Sequence, residues 1–415
     1  MRPQGSSSNI CYRNYTEVFA PIPLSDDSSV EDTEETVIGD RAQESHITIS
    51  NIIEDLFLQV NNAACSRFII NRADVWDGAM RGFRRSNYEP QNSIMVKFTD
   101  DIGVTEEGID TGGPKREFLG LLMDHLHKRP IFEGPETQRF LKYDATGEKN
   151  DEYFMAGRII AVSLVHGGPS PSFLSANLMR HILGIDDIHA TLEDTDDHEI
   201  KGILFNVRNS KSLDELLTIL EKQTLVFHLA GCKTVIKELD DKEKLVEDFK
   251  WYIIKRNAFG IERFMEGLKT LNVLEAMKQH PEVFLNQFCF TQKRVTAQAL
   301  EDIFAVQFSD KGSNKRAVES RIIGYWIDYT IDAEGNLSPE GPSLRDILQF
   351  ATGLSSIPPS GFHPRPSVQF LHNGSPYPIA NTCGNIIHLP ITTDYYTFQK
   401  NMDFGILNSP GFGRV

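Results

Sequence analysis

Apolar and polar positions alternate differently in successive stretches of the chain. Residues 1 to 46 keep no sustained helical or strand period. Ser25-Asp-Asp-Ser-Ser-Val-Glu-Asp-Thr-Glu-Glu35 has the composition of a disordered acidic tail. Order is expected from Ile47. Ile52, Ile53, Leu56, Phe57 and Val60 share one helical face, and Asn51 and Glu54 are spaced as a cap and its N3 partner. Phe68-Ile-Ile-Asn71 reads as a short strand, and Val75 to Arg85 as a helix opened by Asp74. Ser93 to Thr99 turns Ile94, Val96 and Phe98 to one side, the pattern of a half-buried strand. Pro114 suits the first position of a helix whose buried stripe is Phe118, Leu121, Leu122 and Leu126.

From Glu152 to about Ala305 the helical period dominates. Helices are predicted near 152–165, 171–183, 213–222, 242–257, 262–270 and 296–305, with an acidic connection over 186–197 and a strand over Thr224 to His228. The small and charged run Ser309-Asp-Lys-Gly-Ser-Asn-Lys315 interrupts the pattern as a linker does. A helix follows over Ala317 to Thr330, then a Gly/Pro/Ser loop from Ala333 to Pro342. The next helix is opened by Ser343 and Asp346 and closed by Gly353. Short strands are expected at Val368 to His372 and on both sides of Cys383. Tyr395, Phe398, Met402 and Ile406 mark a last helix. Two units result, a larger helical one and a smaller α+β one that carries Cys383 at a turn.

Composition narrows the chemistry. A net charge of −16 argues against a nucleic-acid binder and favours basic protein partners. Cys11, Cys65, Cys232, Cys289 and Cys383 are scattered without a CxxC pair, which fits neither a disulfide framework nor a zinc module. No apolar run approaches the roughly 18 residues of a membrane span, and Met1-Arg-Pro-Gln-Gly lacks a signal-peptide core. The expected location is cytoplasmic, nuclear or both. Gly112-Gly-Pro-Lys-Arg116 lacks the Walker spacing and reads as helix capping. His166-Gly-Gly-Pro169 reads as a helix stop, His125 and His127 as surface or packing residues, and Cys65, Cys232 and Cys289 as structural.

Four stretches in this order resemble the HECT family of ubiquitin ligases over roughly 67–415. They are Gly108-Ile-Asp-Thr-Gly-Gly-Pro-Lys-Arg-Glu-Phe118, Tyr153-Phe-Met-Ala-Gly-Arg158, Leu348-Gln-Phe-Ala-Thr-Gly353 with Ile357-Pro-Pro-Ser-Gly-Phe362, and Asn381-Thr-Cys-Gly-Asn385 with Leu389-Pro390. The resemblance implies an α+β, bilobal fold: a mainly helical N-lobe over 47–308, a flexible hinge over 309–316 and a smaller α+β C-lobe over 317–415. The conjugating-enzyme-binding region, near 196–241, looks reduced. The implied activity is a transferase that takes ubiquitin from a conjugating enzyme as a thioester on Cys383 and passes it to a substrate lysine. Its implied partners are ubiquitin, a conjugating enzyme and protein substrates, with no cofactor, metal, nucleic acid or membrane.

The resemblance makes Cys383 the nucleophile. Asn381, Thr382 and Asn385 are its supporting neighbours, and Phe412, fourth from the end, braces the two lobes during transfer. Where the family usually has histidine and phenylalanine around the cysteine, this chain has Asn381 and Gly384. That departure keeps a second reading open, a catalytically weak or inactive module that binds ubiquitin or a substrate. A papain-like hydrolase using Cys383 with His372 or His388 is the third. Asp394 and Asp403 are the nearby acids.

Overall fold

The computed structural model describes residues 47–100, 102–105, 112–185, 197–232, 235–289, 295–335 and 340–409. The acidic tail over 1–46, most of the connection over 186–197, the start of the Gly108 motif and Phe412 lie outside the described residues.

Among the described residues, buried side chains gather into three separate cores. The first begins with α1 (Ile49–Phe57), whose capping box is formed by Thr48 and Asn51. Asn51 is therefore the N3 residue, one turn later than its expected role as the cap, because the Thr48 side chain already accepts the Asn51 N–H. β1 (Asn61–Asn71), α2 (Val75–Phe83) and β2 (Asn92–Thr99) form a parallel β-α-β unit that pairs Phe68 with Val96 and Ile70 with Phe98. β1 starts seven residues before the expected strand at Phe68, in a polar and small-residue stretch with no apolar alternation to announce it.

α3 (Gly113–His127) packs on this sheet. β3 (Phe132–Glu133), β4 (Phe140–Leu141), α4 (Ala145–Lys149), α5 (Glu152–Val165) and α6 (Ala176–Leu183) follow. The second core is built from α7 (His198–Asn209), α8 (Leu213–Lys222), α9 (Thr224–Leu229) and α10 (Asp241–Lys255). The strand expected at Thr224 to His228 is helical. Of that apolar run only Phe227 is buried, so the run has no two-sided core to justify a strand. Leu245, Val246 and Phe249 of α10 close this core, which carries it past the expected limit at 241.

The chain then returns to the first core through α11 (Ala258–Leu268), α12 (Val273–Gln279) and α13 (Pro281–Phe288). Gly157 of α5 and Gly267 of α11 face each other, and a side chain on either would collide with the opposite backbone. That close approach explains the glycine within Tyr153–Arg158 and fixes α5 at the centre of the first core.

The third core contains α14 (Ala297–Ile303), β5 (Ala305–Val306), α15 (Asn314–Glu334), α16 (Leu344–Thr352), β6 (Ser367–Leu371), β7 (Ile379–Asn381), β8 (Ile386–Pro390) and α17 (Tyr395–Leu407). Its sheet runs β5-β6-β8-β7, with β7 antiparallel to β8 and the other pairs parallel. α16 has the expected capping box of Ser343 and Asp346, and Gly353 ends it at φ 84°.

The hinge expected over 309–316 lies inside this third unit. Leu300 and Phe304, upstream of it, are buried with Ile322 and Trp326, and β5 already pairs with β6. Ser309 donates its N–H (2.8 Å) and hydroxyl (2.5 Å) to the buried Glu319 carboxylate, and Arg316 donates to the Ser309 carbonyl at 2.9 Å. Small, charged residues give this stretch the composition of a linker, yet Ser309 holds it to α15. The change of core lies earlier: Cys289 packs on the first core and Val295 on the third.

Candidate functional site

Cys383 occupies the four-residue turn Thr382-Cys383-Gly384-Asn385 that joins β7 to β8, at the edge of the sheet. It is half-buried, neither a core residue nor a fully exposed one. Asn381 sets the turn, since its backbone and side-chain oxygens accept the Gly384 N–H at 3.1 and 3.2 Å. Asn385 closes it at φ 53°, a left-handed conformation that asparagine tolerates better than most residues. Its side chain is fully buried and donates to the Pro364 carbonyl at 2.6 Å, while its backbone oxygen accepts from Ser367 at 2.9 Å. Gly384 leaves little room, as a Cβ there would lie 3.1 Å from Ile386. The hydroxyl of Thr382 is buried and has no hydrogen-bond partner among the described residues.

One residue at this turn escaped the sequence reading. Arg116 of α3 is 6% exposed, and its guanidinium lies against the Cys383 turn. Nη2 donates to Asn385 Oδ1 at 2.7 Å, to the Cys383 carbonyl at 3.4 Å and to the Thr382 carbonyl. Nε reaches the Thr352 carbonyl at 3.2 Å, and Nη1 the His363 carbonyl at 3.5 Å. Gly112, at φ 118°, caps α3, and a side chain on it would crowd the Arg116 guanidinium. The next two residues tie α3 to the opposite side: Glu117 pairs with Arg72 at 2.7 Å, and the Phe118 ring meets Phe68. The Gly-rich helix start thus does more than cap. It hands one arginine to the third core while the helix stays fixed in the first.

These features acquire a family from comparison with known proteins. A family model described as "HECT-domain (ubiquitin-transferase)" matches residues 122–415. The chain belongs to the HECT-domain family. It is 35% identical over 363 residues to a human protein named "G2/M phase-specific E3 ubiquitin-protein ligase", covering 87% of this chain and 49% of that one. The chicken protein of the same name is 37% identical, over 86% of this chain and 47% of its own length. A more distant relative, "Probable E3 ubiquitin-protein ligase hulA" of Aspergillus fumigatus, is 24% identical over 80% of this chain and 41% of its own length. The chain spans about half the length of the G2/M phase-specific ligases that it matches.

Within this HECT-domain chain the remaining cysteines separate by environment. Burial pushes Cys232 up to about 11 and Cys289 up to about 12, so neither supplies thiolate near neutral pH. Cys65 is exposed on β1, contrary to its expected structural role, because it alternates with buried Ser66 and Phe68 and shares the solvent face with Arg67 and Ile69. The two histidines of the hydrolase alternative are engaged elsewhere. His372 Nε2 lies 2.7 Å from Glu319, and His388 Nδ1 lies 3.2 Å from the Ile379 carbonyl. Asp394 caps α17, and Asp403 accepts from the Tyr329 hydroxyl at 2.8 Å.

His127 stacks on Phe173, as a packing residue would. His166 ends α5, buried, with Nε2 2.9 Å from the Pro90 carbonyl. On the second core Phe205 and Leu225 point to solvent at 62% and 71% exposure, joined by exposed Leu229 and Val235. Among the described residues no helix is long and apolar enough to cross a membrane.

Proposed function

We propose that this chain is the catalytic part of a ubiquitin ligase, with Cys383 as the residue that carries ubiquitin. The observation that carries the reading is the position of Cys383: a half-buried thiol at the tip of a hairpin whose backbone is fixed at both ends, in a HECT-domain chain. The Cys383 thiolate attacks the carbonyl carbon of a conjugating-enzyme thioester. A new C–S bond forms, the old one breaks, and the conjugating enzyme leaves as its thiolate. A lysine amine then attacks the same carbon, a C–N bond forms, and Cys383 departs as thiolate while the amine proton passes to solvent or to a group of the acceptor. The first step exchanges one thioester for another and asks mainly for access. The second requires an uncharged amine and a held geometry.

The exposed apolar side chains of the second core supply the surface for the conjugating enzyme, which supports this region as the docking unit. The N-lobe in this reading comprises the first and second cores, and the C-lobe is the third core. Phe412 is the brace between them. The test is incubation of the chain with ubiquitin-charged conjugating enzyme, followed by electrophoresis with and without thiol. A thiol-sensitive adduct, lost in Cys383→Ala, is expected. A chain that binds ubiquitin but forms no adduct across a broad panel of conjugating enzymes is instead the non-catalytic module to which Asn381 and Gly384 point.

A further inference from the structure

We propose that Arg116 is the positioning residue that seats the Cys383 turn on α3 for transfer to lysine, an inference that rests on the ligase reading. A guanidinium buried to this degree is tolerated only where its N–H groups find acceptors, and Arg116 finds them in three separate stretches of the third core: Thr352, His363 and the turn over 382–385. Of its five acceptors among the described residues, four are main-chain carbonyls. The contact therefore reads the shape of the turn rather than its side chains, and it is complete only when all three stretches are in place. The fifth acceptor, Asn385 Oδ1, belongs to the residue whose amide also holds Pro364. Arg116 and Asn385 thus form one bridge from α3, through the catalytic turn, to the loop behind it.

The fork geometry is what matters. A lysine ammonium keeps the positive charge but, as a single point donor, cannot span these acceptors. Losing the bridge leaves the thiol reachable and the acyl group as activated as before. It removes the fixed angle at which the thioester meets an incoming amine. The penalty falls on the second step.

The experiment uses the full chain in two single-turnover assays. One follows charging of Cys383 by a ubiquitin-loaded conjugating enzyme. The other follows discharge of the isolated adduct to free lysine. Arg116→Ala and Arg116→Lys should both slow discharge roughly 10- to 100-fold while charging stays within about two-fold, the scale expected when a reacting group is misplaced by about 1 Å. Asn385→Gly, which keeps the left-handed backbone and removes the amide oxygen, should do the same. The double variant Arg116→Ala/Asn385→Gly should be no slower than the slower single one.

Hydrogen exchange supplies a readout that needs no ubiquitin. In Arg116→Ala the amides of Gly384, Asn385 and Ser367 should exchange faster, with the first core unchanged. The proposal is overturned by normal discharge in Arg116→Ala, by rescue in Arg116→Lys, or by charging and discharge falling in parallel with the melting temperature. Unchanged exchange at the turn overturns it too, even if the wild-type chain takes no ubiquitin and the ligase reading itself fails.

Discussion

Asn381 stands where the family usually carries histidine, and its side chain has a structural task. It accepts the Gly384 N–H and so shapes the turn that presents Cys383. An amide cannot take a proton at neutral pH, and neither Asp394 nor Asp403 is idle. In the proposed reaction, transfer to lysine would therefore draw on positioning by the residues around the turn. Asn385 and Arg116 are the residues proposed to supply that positioning, and Thr382 offers Arg116 its backbone carbonyl rather than its hydroxyl. A buried hydroxyl without a partner costs free energy that an isosteric methyl does not. Thr382→Val should accordingly stabilise the chain by about 1–2 kcal/mol, seen as a raised melting temperature. A lowered melting temperature would mean that the hydroxyl is in use.

Helices with regular apolar stripes were legible in the sequence almost to their ends. α2, α8, α16 and α17 all lie within a few residues of expectation, with the predicted caps at Asp74, Ser343 and Gly353. The hairpin around Cys383 was legible too, because Ile379 and Ile386 to Leu389 flank a run of turn formers. The failures share a physical cause. α9 carries an apolar run with only one buried residue, and local composition cannot reveal that lack of partners. Arg116 lies one turn into an apolar helix, where a cation reads as a solvated face. Its acceptors, at Thr352, His363 and the turn over 382–385, are more than 200 residues away in sequence.

His166 was read as a helix stop, and its buried ring adds a pH dependence to that role. Burial, with a smaller push from Lys115, lowers its pKa from 6.5 to about 4. The folded chain therefore holds this imidazole neutral while the unfolded chain protonates it below pH 6.5. The unfolded state binds the extra proton between pH 6.5 and 4, so the His166 contribution is complete above 6.5 and lost as pH falls through that window. The loss amounts to about 3 kcal/mol. Melting curves of wild type and His166→Gln should converge between pH 6.5 and 4, and a constant offset between them would contradict this assignment.

In the whole chain, three cores divide the work that the proposed reaction requires. The first anchors α3, the second offers exposed apolar side chains to a partner, and the third carries the thiol. The linker-like stretch over 309–316 is bound to α15 through Glu319, so movement of the third core would carry that stretch along as part of the rigid unit. If Phe412 braces the lobes, removing residues 412–415 should leave charging of Cys383 intact and slow its discharge. Equal discharge rates would remove Phe412 from the mechanism.

The central claim is that ubiquitin is carried on Cys383, and intact mass spectrometry of the chain after brief exposure to charged conjugating enzyme tests it most directly. The account predicts a mass increase of one ubiquitin that thiol removes in the wild type, that is absent in Cys383→Ala, and that becomes thiol-resistant as an ester in Cys383→Ser. An adduct that persists unchanged in Cys383→Ala, or that disappears only in Cys65→Ser, would contradict it.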